Sequence, residues 1–434
     1  MNAAHPLITL WFRGVLGFYA FALVAFDNGT YSPLLYVAGG ALTASYAIYA
    51  AATASVPRLP PPILAYAALV LFAAVSITWS THPDFSAARA RTIAFILLNI
   101  VVVYNVIVRF RIPIAFFTGL YAGIVLNLLM ALGIVDLGNL GMDRTSTRFG
   151  GTVNQPNLLG YICAATLFGI YLHVRSVPSR RVPAAGRMVE IAVLFVLGAV
   201  VLFVAFVTGS RAALAIALPL AVWIVLGSFL RPLFAAPMAI ALGVALFLFG
   251  AVDTSEIQVG TDFTLSEVSE VVFGRLEGTV EETDDSVEDR AALARAAYRQ
   301  FLTEPLIGTG LATFEAENGG YSHNNYLDVL SSVGVIGMLM MAAVYGLIAL
   351  ALLRLPTLRM VLFFGFFLIS QMFFDLALVT FSHKFQMLMP FVMLACMKLL
   401  SDTYSESLIG GAEALVQRRR RRRKRRSSSV ATSG

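Results

Sequence analysis

Long apolar segments recur from one end of the chain to the other, and this recurrence constrains the fold more than any other feature. Each segment has 17 or more residues, about the length that crosses the hydrocarbon layer of a bilayer as a helix. The chain is 58% hydrophobic and only 13% charged, whereas a soluble domain is about half apolar and a quarter charged. The pattern predicts an all-α, polytopic integral membrane protein of about twelve helices.

The twelve predicted spans set a topology with both termini in the cytoplasm. They cover residues 7–26, 33–53, 63–79, 92–108, 112–135, 156–174, 188–207, 211–230, 233–252, 325–353, 358–378 and 383–400. This arrangement places the arginines of the short loops and the basic tail on the cytoplasmic side, as the positive-inside rule requires. An odd number of spans would move either the tail or the 174–187 loop outside, so twelve fits best. The first span contains Arg13 and no cleavage site follows it, so we interpret it as a retained helix.

Charge is divided sharply between two polar segments. Residues 253–322 contain 15 acids and 4 bases, whereas residues 401–434 contain 3 acids and 9 bases. Such separation indicates two aqueous compartments. We therefore divide the chain into helices 1–9 (1–252), a large periplasmic loop (253–324), helices 10–12 (325–400) and a basic, disordered cytoplasmic tail (401–434). Beside a membrane, the basic run of the tail predicts contact with anionic lipid headgroups, or serves only to fix the topology, and it indicates no nucleic-acid partner.

One amphipathic helix is predicted inside the large loop. Ser286 has the character of a helix cap, with Asp289 three residues later. Apolar side chains then recur at helical spacing, at Val287, Ala291, Ala294, Tyr298 and Phe301. Pro305 and the glycines at 308 and 310 end the pattern. A polar connection of about 70 residues is longer than a plain loop needs, which indicates a functional segment.

Arg211 follows a break in an apolar stretch. Residues 191–230 are too long for one helix, and Thr208-Gly209-Ser210-Arg211 interrupts them. A helix that begins there presents free backbone N–H groups and a partial positive charge, with Ser210 as its cap. The guanidinium adds a planar fork of donors, so the break predicts a phosphate site. An interfacial arginine that only extends its charge toward water is an equally weighted alternative.

His323 stands where the large loop re-enters the membrane, within Tyr321-Ser322-His323-Asn324-Asn325-Tyr326. Imidazole is the side chain best suited to accept a proton near neutral pH, which makes His323 a candidate general base. The alternative is that it caps the following helix or contacts headgroups, and a single histidine taken alone favours that alternative.

Arg275 and Arg290 are cations in an otherwise acidic loop. An anionic substrate would be repelled by the loop as a whole, so specific arginines would have to bind it. The alternative is simple pairing with neighbouring carboxylates on a solvated surface, which stabilises little.

Five motifs, in order, resemble the O-antigen ligase and polymerase superfamily. His323-Asn324 followed by Gly334 and Gly337 reproduces its histidine–asparagine…glycine…glycine spacing. The other four are an early tryptophan–serine segment, a glycine–asparagine–proline turn, a serine–arginine span and the segment before the histidine, at 76–83, 149–160, 209–211 and 290–308. The resemblance covers most of residues 76–345.

The resemblance implies a C-type glycosyltransferase architecture with the active site at the periplasmic face of the bacterial inner membrane. Such enzymes transfer a glycan from undecaprenyl diphosphate to the hydroxyl of an acceptor glycolipid or growing glycan, without a nucleotide sugar, metal or other cofactor. His323 would be the general base, or would orient the acceptor. The diphosphate would be held by Arg211, Arg290 and Arg275. We expect support from Asn324, Ser210 and Asn157.

Three functions remain open from the sequence. Ligation of O-antigen to lipid A–core is the first choice, and polymerisation of O-antigen or exopolysaccharide on the same carrier differs only in the acceptor. A polysaccharide or lipid transporter or flippase is the alternative from another class. Transporters usually carry more acids at mid-membrane depth than Asp328 and Asp375, which argues against that alternative.

Overall fold

The chain is predominantly helical in the computed structural model, which describes residues 6–28, 31–137, 141–142, 149–176, 184–229, 258–259, 263–264, 284–376 and 378–406. Strands within these ranges are confined to two short antiparallel ribbons. In the first, β1 (Gly141–Met142) pairs with β2 (Phe149–Gly151). In the second, β3 (Gln258–Val259) pairs with β4 (Phe263–Thr264).

Thirteen α-helices follow one another along the described ranges. They are α1 (Pro6–Ala25), α2 (Ser32–Ala52), α3 (Pro61–Val75), α4 (Pro83–Phe110), α5 (Pro113–Ala131), α6 (Pro156–Ser176), α7 (Ala184–Val207), α8 (Arg211–Phe229), α9 (Asp284–Thr303), α10 (Thr313–Asn318), α11 (Asn325–Leu352), α12 (Leu358–Phe374) and α13 (Lys384–Glu406). A 3-10 turn, Ser76–Thr78, extends α3. Several helices begin with proline at the first position, where its missing N–H needs no partner.

These helices confirm the prediction of an all-α polytopic membrane protein. Nine described helices are long and apolar enough to cross a membrane, and two shorter apolar helices accompany them. Eleven of the twelve predicted spans coincide with a helix, and the ninth, 233–252, lies outside the described residues. The fourth span starts earlier than predicted, because Pro83 initiates α4 and its first turns carry Arg89 and Arg91. Those charges lower the local hydropathy and conceal the helix start.

Close backbone approaches between helices hold the bundle together. A Cβ atom added at Gly119 of α5 would lie 2.1 Å from the carbonyl oxygen of Gly17 in α1. A Cβ added at Gly160 of α6 would lie 2.3 Å from the Cβ of Ala213 in α8. Small residues at helix crossings permit this packing in membranes, where apolar contact with lipid competes with contact between helices.

Helix α11 is interrupted at Gly334, which has φ 65° and ψ −167°. Residues 305–310, here called the glycine segment, run alongside the interruption and pair with the backbone released by it. The hydrogen bonds run from Val335 N–H to Pro305 C=O (2.9 Å), from Ile336 N–H to Leu306 C=O (3.2 Å), from Thr309 N–H to Ser331 C=O (2.9 Å) and from Gly310 N–H to Ser332 C=O (3.0 Å). The kink and the segment therefore form one unit.

Candidate functional site

The predicted site elements meet at one end of the bundle, where α6, α8 and α11 begin. We call it the histidine end. Tertiary hydrogen bonds join its parts: Gln155 Nε2 donates to the Tyr321 hydroxyl at 2.8 Å, and the Ser210 hydroxyl donates to Asn157 Oδ1 at 2.9 Å. The turn before α6 is thus linked both to the segment that carries His323 and to the start of α8.

His323 has a left-handed backbone conformation, with φ 54°. Its half-buried ring lies against Tyr321, with 4.3 Å between ring centroids. A non-glycine residue in this region carries strain that the surrounding structure must hold, and such strain is common at functional sites. His323 therefore lies on a turn that precedes α11 and is not part of the helix.

Asn324, rather than His323, caps α11. Its Oδ1 atom accepts hydrogen bonds from the backbone N–H groups of Tyr326 (3.0 Å) and Leu327 (3.1 Å). The alternative in which His323 serves as the helix cap is therefore wrong. Because Asn324 satisfies the helix terminus, the adjacent imidazole is not needed for that purpose.

The next residue, Asn325, ties the start of α11 to the loop between α12 and α13. Its Oδ1 accepts from the N–H groups of Thr380 (2.9 Å) and Phe381 (3.0 Å). Its own N–H donates to the carbonyl of Asp375 at 2.7 Å. Asp375 is itself buried and accepts from the hydroxyls of Thr380 (2.6 Å) and Tyr345 (2.8 Å). The hydrogen bonds of this intramembrane acid therefore fix the loop between α12 and α13 against the start of α11.

Burial and the nearby positive charge of Arg290 lower the pKa of His323 to about 4. At neutral pH the imidazole is therefore uncharged and keeps one nitrogen lone pair available as a proton acceptor. Arg290 lies on the exposed surface of α9. The structure thus brings Arg290 within electrostatic range of His323.

Arg211 is the first residue of α8, as the break in hydropathy predicts. Ser210 caps that helix: its Oγ accepts from the N–H of Ala213 at 3.3 Å. Its side chain is buried, as expected for a group satisfied by Asn157 and Ala213. Arg275 lies outside the described residues.

Helix α9 lies where the amphipathic helix is predicted, although it begins at Asp284, before Ser286. Its packed face differs from the prediction: Ala291 and Tyr298 are exposed, whereas Ala297 is fully buried. Gln300, one turn after Ala297, donates from Nε2 to Thr309 Oγ1 (2.8 Å), so this side of α9 faces the glycine segment.

The early tryptophan–serine segment packs on the glycine segment. Trp79 Nε1 donates to the carbonyl of Gly308 at 3.1 Å, and Leu311 N–H donates to Ser76 Oγ at 2.9 Å. Ser80 and Thr313 are joined by a hydroxyl–hydroxyl hydrogen bond of 2.9 Å. The two segments, about 230 positions apart in sequence, are therefore packed together by hydrogen bonds.

Several charged residues at the histidine end are absent from the sequence prediction. Arg89 on α4 forms an ion pair with Glu315 on α10. Asp27, just after α1, forms a buried pair with Lys384 at 2.7 Å. An arginine in the second turn of an apolar helix, close to the tryptophan–serine segment, is the signal that identifies Arg89. No local pattern in the sequence marks the partnership of Asp27 and Lys384.

Comparison with known protein families bears directly on this site. Residues 193–342 match the family model described as O-antigen ligase. This match confirms the resemblance to the O-antigen ligase and polymerase superfamily over these residues, which contain three of the five motifs. The matched region contains Arg211, Arg290, His323 and the glycine of the α11 kink. It supports a glycosyltransferase-like enzyme with a role in glycan transfer for O-antigen or polysaccharide biosynthesis. No curated protein matches the chain.

Proposed function

We propose that the chain transfers a glycan from undecaprenyl diphosphate to an acceptor hydroxyl at the periplasmic face of the inner membrane, and that the reaction is ligation of O-antigen to lipid A–core. The observation that carries the proposal is the placement of His323. It is a neutral, half-buried imidazole on a strained turn, relieved of helix capping by Asn324 and lying within range of the Arg290 charge. The ligase family match over the same residues supports it.

The histidine and the arginines divide the chemistry between acceptor and donor. His323 takes the proton of the acceptor hydroxyl as the oxygen forms its bond to the anomeric carbon of the donor glycan. The bond from that carbon to the diphosphate breaks, and its electron pair leaves with the undecaprenyl diphosphate. Negative charge grows on the departing group, so Arg211, Arg290 and Arg275 stabilise it more in the transition state than in the ground state.

Arg290 also links donor binding to the strength of the base. Burial lowers the pKa of His323, and the Arg290 charge lowers it further in the unloaded site. A bound diphosphate offsets that charge, so the pKa of His323 rises when the donor is present. The base therefore becomes stronger in the loaded site, where it is needed, and stays unprotonated at neutral pH when the site is empty.

The two ends of the bundle support the proposed orientation. Arg58, Arg109, Arg111 and Arg354 lie at the end opposite His323, where the positive-inside rule places the cytoplasm. The histidine end then faces the periplasm, and a lipid-embedded donor reaches it from the outer leaflet. The basic tail would contact anionic headgroups on the cytoplasmic side.

Deletion of the gene and examination of surface glycans test the ligase assignment. A ligase predicts loss of capped lipopolysaccharide with the lipid-linked polymer retained. Single-repeat glycan or absent exopolysaccharide would instead assign the chain as a polymerase. If the chain were a flippase, the deletion would leave lipid-linked glycan on the inner leaflet. That glycan would be protected from glycosidase added to intact spheroplasts.

A further inference from the structure

A second group of polar side chains lies at the histidine end, apart from the residues of the proposed reaction. Asp27 follows α1, and His383 and Lys384 stand where α13 begins. Lys384 Nζ donates to Asp27 Oδ1 at 2.7 Å, and the Asp27 side chain is only 5% exposed. This buried ion pair engages one carboxylate oxygen of Asp27 and joins α1 to α13.

The second carboxylate oxygen faces His383. Asp27 Oδ2 and His383 Nδ1 lie 3.8 Å apart, and both atoms are buried without a hydrogen-bond partner among the residues that the structure describes. Buried polar atoms are nearly always paired, so two unpaired atoms that face each other need an explanation. Hydrogen bonds in unliganded sites are often long and shorten when substrate binds. The pair has the geometry of such a contact.

The His383 ring turns Nδ1 toward Asp27 and its other nitrogen outward. The side chain keeps 27% of its surface exposed, and because Nδ1 is buried, Nε2 is the nitrogen on the open side. Burial lowers the pKa of His383; Asp27 opposes this, while Lys384 and Arg89 add to it. The ring is therefore neutral at pH 7. A carboxylate at Nδ1 selects the tautomer that carries its proton there, which leaves Nε2 as an acceptor.

Arg89 and Ser382 extend the group toward the proposed active site. Arg89 donates to Ser382 Oγ at 3.3 Å while it pairs with Glu315. Its charge also acts on Asp328, in the first turn of α11. The group therefore borders the turn that carries His323.

Within the ion pairs of this group the charges cancel, and the nearby Asp328 carboxyl adds no positive charge. Asp27 balances Lys384, Arg89 balances Glu315 and His383 is neutral. A site without net positive charge is poorly suited to a diphosphate, which the proposed reaction assigns to its arginines. Alternating donors and acceptors around a partly open ring are suited to a neutral ligand that is rich in hydroxyls, such as a sugar.

We infer that Asp27, His383, Arg89 and Ser382 form a subsite for the hydroxyl-rich head group of the acceptor glycolipid. His383 Nε2 accepts a hydrogen bond from a sugar hydroxyl, and Arg89 and Ser382 supply further hydrogen-bonding groups. Asp27 is a positioning residue: it holds the ring through Nδ1 and is itself fixed by Lys384. This inference rests on the proposed function and assigns one substrate of that reaction to named side chains.

Steady-state kinetics of the purified full chain in lipid nanodiscs test the subsite. The donor is the lipid-linked glycan, and the acceptor is the glycolipid extracted from a strain that lacks the gene. His383→Ala removes a ring that makes no side-chain hydrogen bond within the described residues, so the Asp27–Lys384 pair survives. We expect the KM for acceptor to rise about tenfold, the effect of one lost hydrogen bond, with the KM for donor unchanged. Asp27→Asn should also raise the KM for acceptor.

The matched control is Asp84→Asn, which changes an exposed acid in the first turn of α4 at the same end of the bundle. It should leave both KM values unchanged. An unaltered KM for acceptor in His383→Ala, or a rise in the KM for donor alone, overturns the subsite.

A binding measurement separates failure of the subsite from failure of the proposed function. Saturation-transfer NMR with the oligosaccharide released from the acceptor reports binding without turnover. If the wild-type chain transfers no glycan, the proposed function fails. In that case, binding of the oligosaccharide to wild type but not to His383→Ala would still support the subsite. Binding to neither protein, or equal binding to both, would contradict it.

Discussion

Gly334 and Leu306 are in direct backbone contact: a Cβ atom added at Gly334 would lie 2.4 Å from both the carbonyl carbon and the carbonyl oxygen of Leu306. Gly308 makes the reciprocal approach, since its Cβ would lie 2.4 Å from the carbonyl carbon of Ser332. Both glycines have positive φ. The glycine motif therefore serves to dock the glycine segment into the kink of α11, below the turn that carries His323.

The first prediction concerns this docking. Gly334→Ala should destabilise the protein by about 1–3 kcal/mol or more, because the substituted residue is strained and its Cβ meets backbone atoms that cannot move independently. The measurement is the midpoint of thermal unfolding of the detergent-solubilised protein, followed by fluorescence size-exclusion chromatography. The matched control is Gly346→Ala, in the same helix, where nothing lies within 4 Å of an added Cβ. The control should gain up to about 1 kcal/mol through helix propensity. Equal midpoints for the two variants would contradict the docking role.

The membrane helices could be predicted from the sequence because hydropathy acts locally. Each span must bury an apolar length equal to the bilayer, and that requirement is visible in any window of about 20 residues. The approach fails where charge enters a helix, as at the start of α4, which carries Arg89 and Arg91.

The site could be predicted only in part, because its partners are distant in sequence. The spacing of His323, Gly334 and Gly337 can be recognised in the sequence. The contact of Gly334 with Leu306 cannot, because it depends on tertiary packing. The pairing of Asp27 with Lys384 joins residues 357 positions apart. In sequence, an isolated charged residue at a helix end looks like any other interfacial charge. The sequence pattern therefore does not identify its ion-pair partner.

The second prediction separates the roles of two adjacent residues. Asn324→Ala removes the cap of α11 and should cost about 1 kcal/mol of stability, while turnover per folded molecule falls much less than in a histidine variant. His323→Ala should do the opposite, lowering turnover by about two to four orders of magnitude with little change in stability. Turnover and unfolding midpoint are measured on the same preparations. Near-normal turnover in the histidine variant would remove the assignment of His323 as general base.

The third prediction concerns Arg211 at the start of α8. Arg211→Lys should fail to restore transfer, because a single ammonium cannot copy the planar fork that grips a diphosphate. The assay is complementation of the deletion strain, with protein levels in the membrane checked by immunoblot. Arg91→Lys, at an exposed position of α4, is the matched control and should complement fully. Full activity of the Arg211 variant would indicate an interfacial charge without a role in substrate binding.

The fourth prediction tests the orientation of the bundle. Cysteines introduced at Asp284 and at Ser428 should differ in their reaction with a membrane-impermeant maleimide added to intact spheroplasts. We expect labelling at 284 and none at 428 until the membrane is permeabilised. The two native cysteines are buried and should give a low background. Labelling in the opposite sense would place the histidine end in the cytoplasm and overturn the proposed donor.

The last prediction follows from the effect of Arg290 on His323. Burial and the Arg290 charge both lower the pKa of His323, to about 4. Arg290→Gln removes the charge and leaves the burial, so the pKa of His323 should rise toward its ordinary value near 6.5. The acid limb of kcat/KM reports the pKa of the base in the free enzyme, and it should move to higher pH in the variant. The same shift should appear in an NMR titration of the labelled imidazole, which does not depend on turnover. Arg299→Gln changes an exposed arginine on the same helix and should leave the titration in place. In wild type, a saturating diphosphate lipid should raise the pKa of His323 as the Arg290 substitution does, because it offsets the same charge. An unchanged titration in both experiments would show that Arg290 does not act on His323, and the proposed coupling between donor binding and base strength would then be lost.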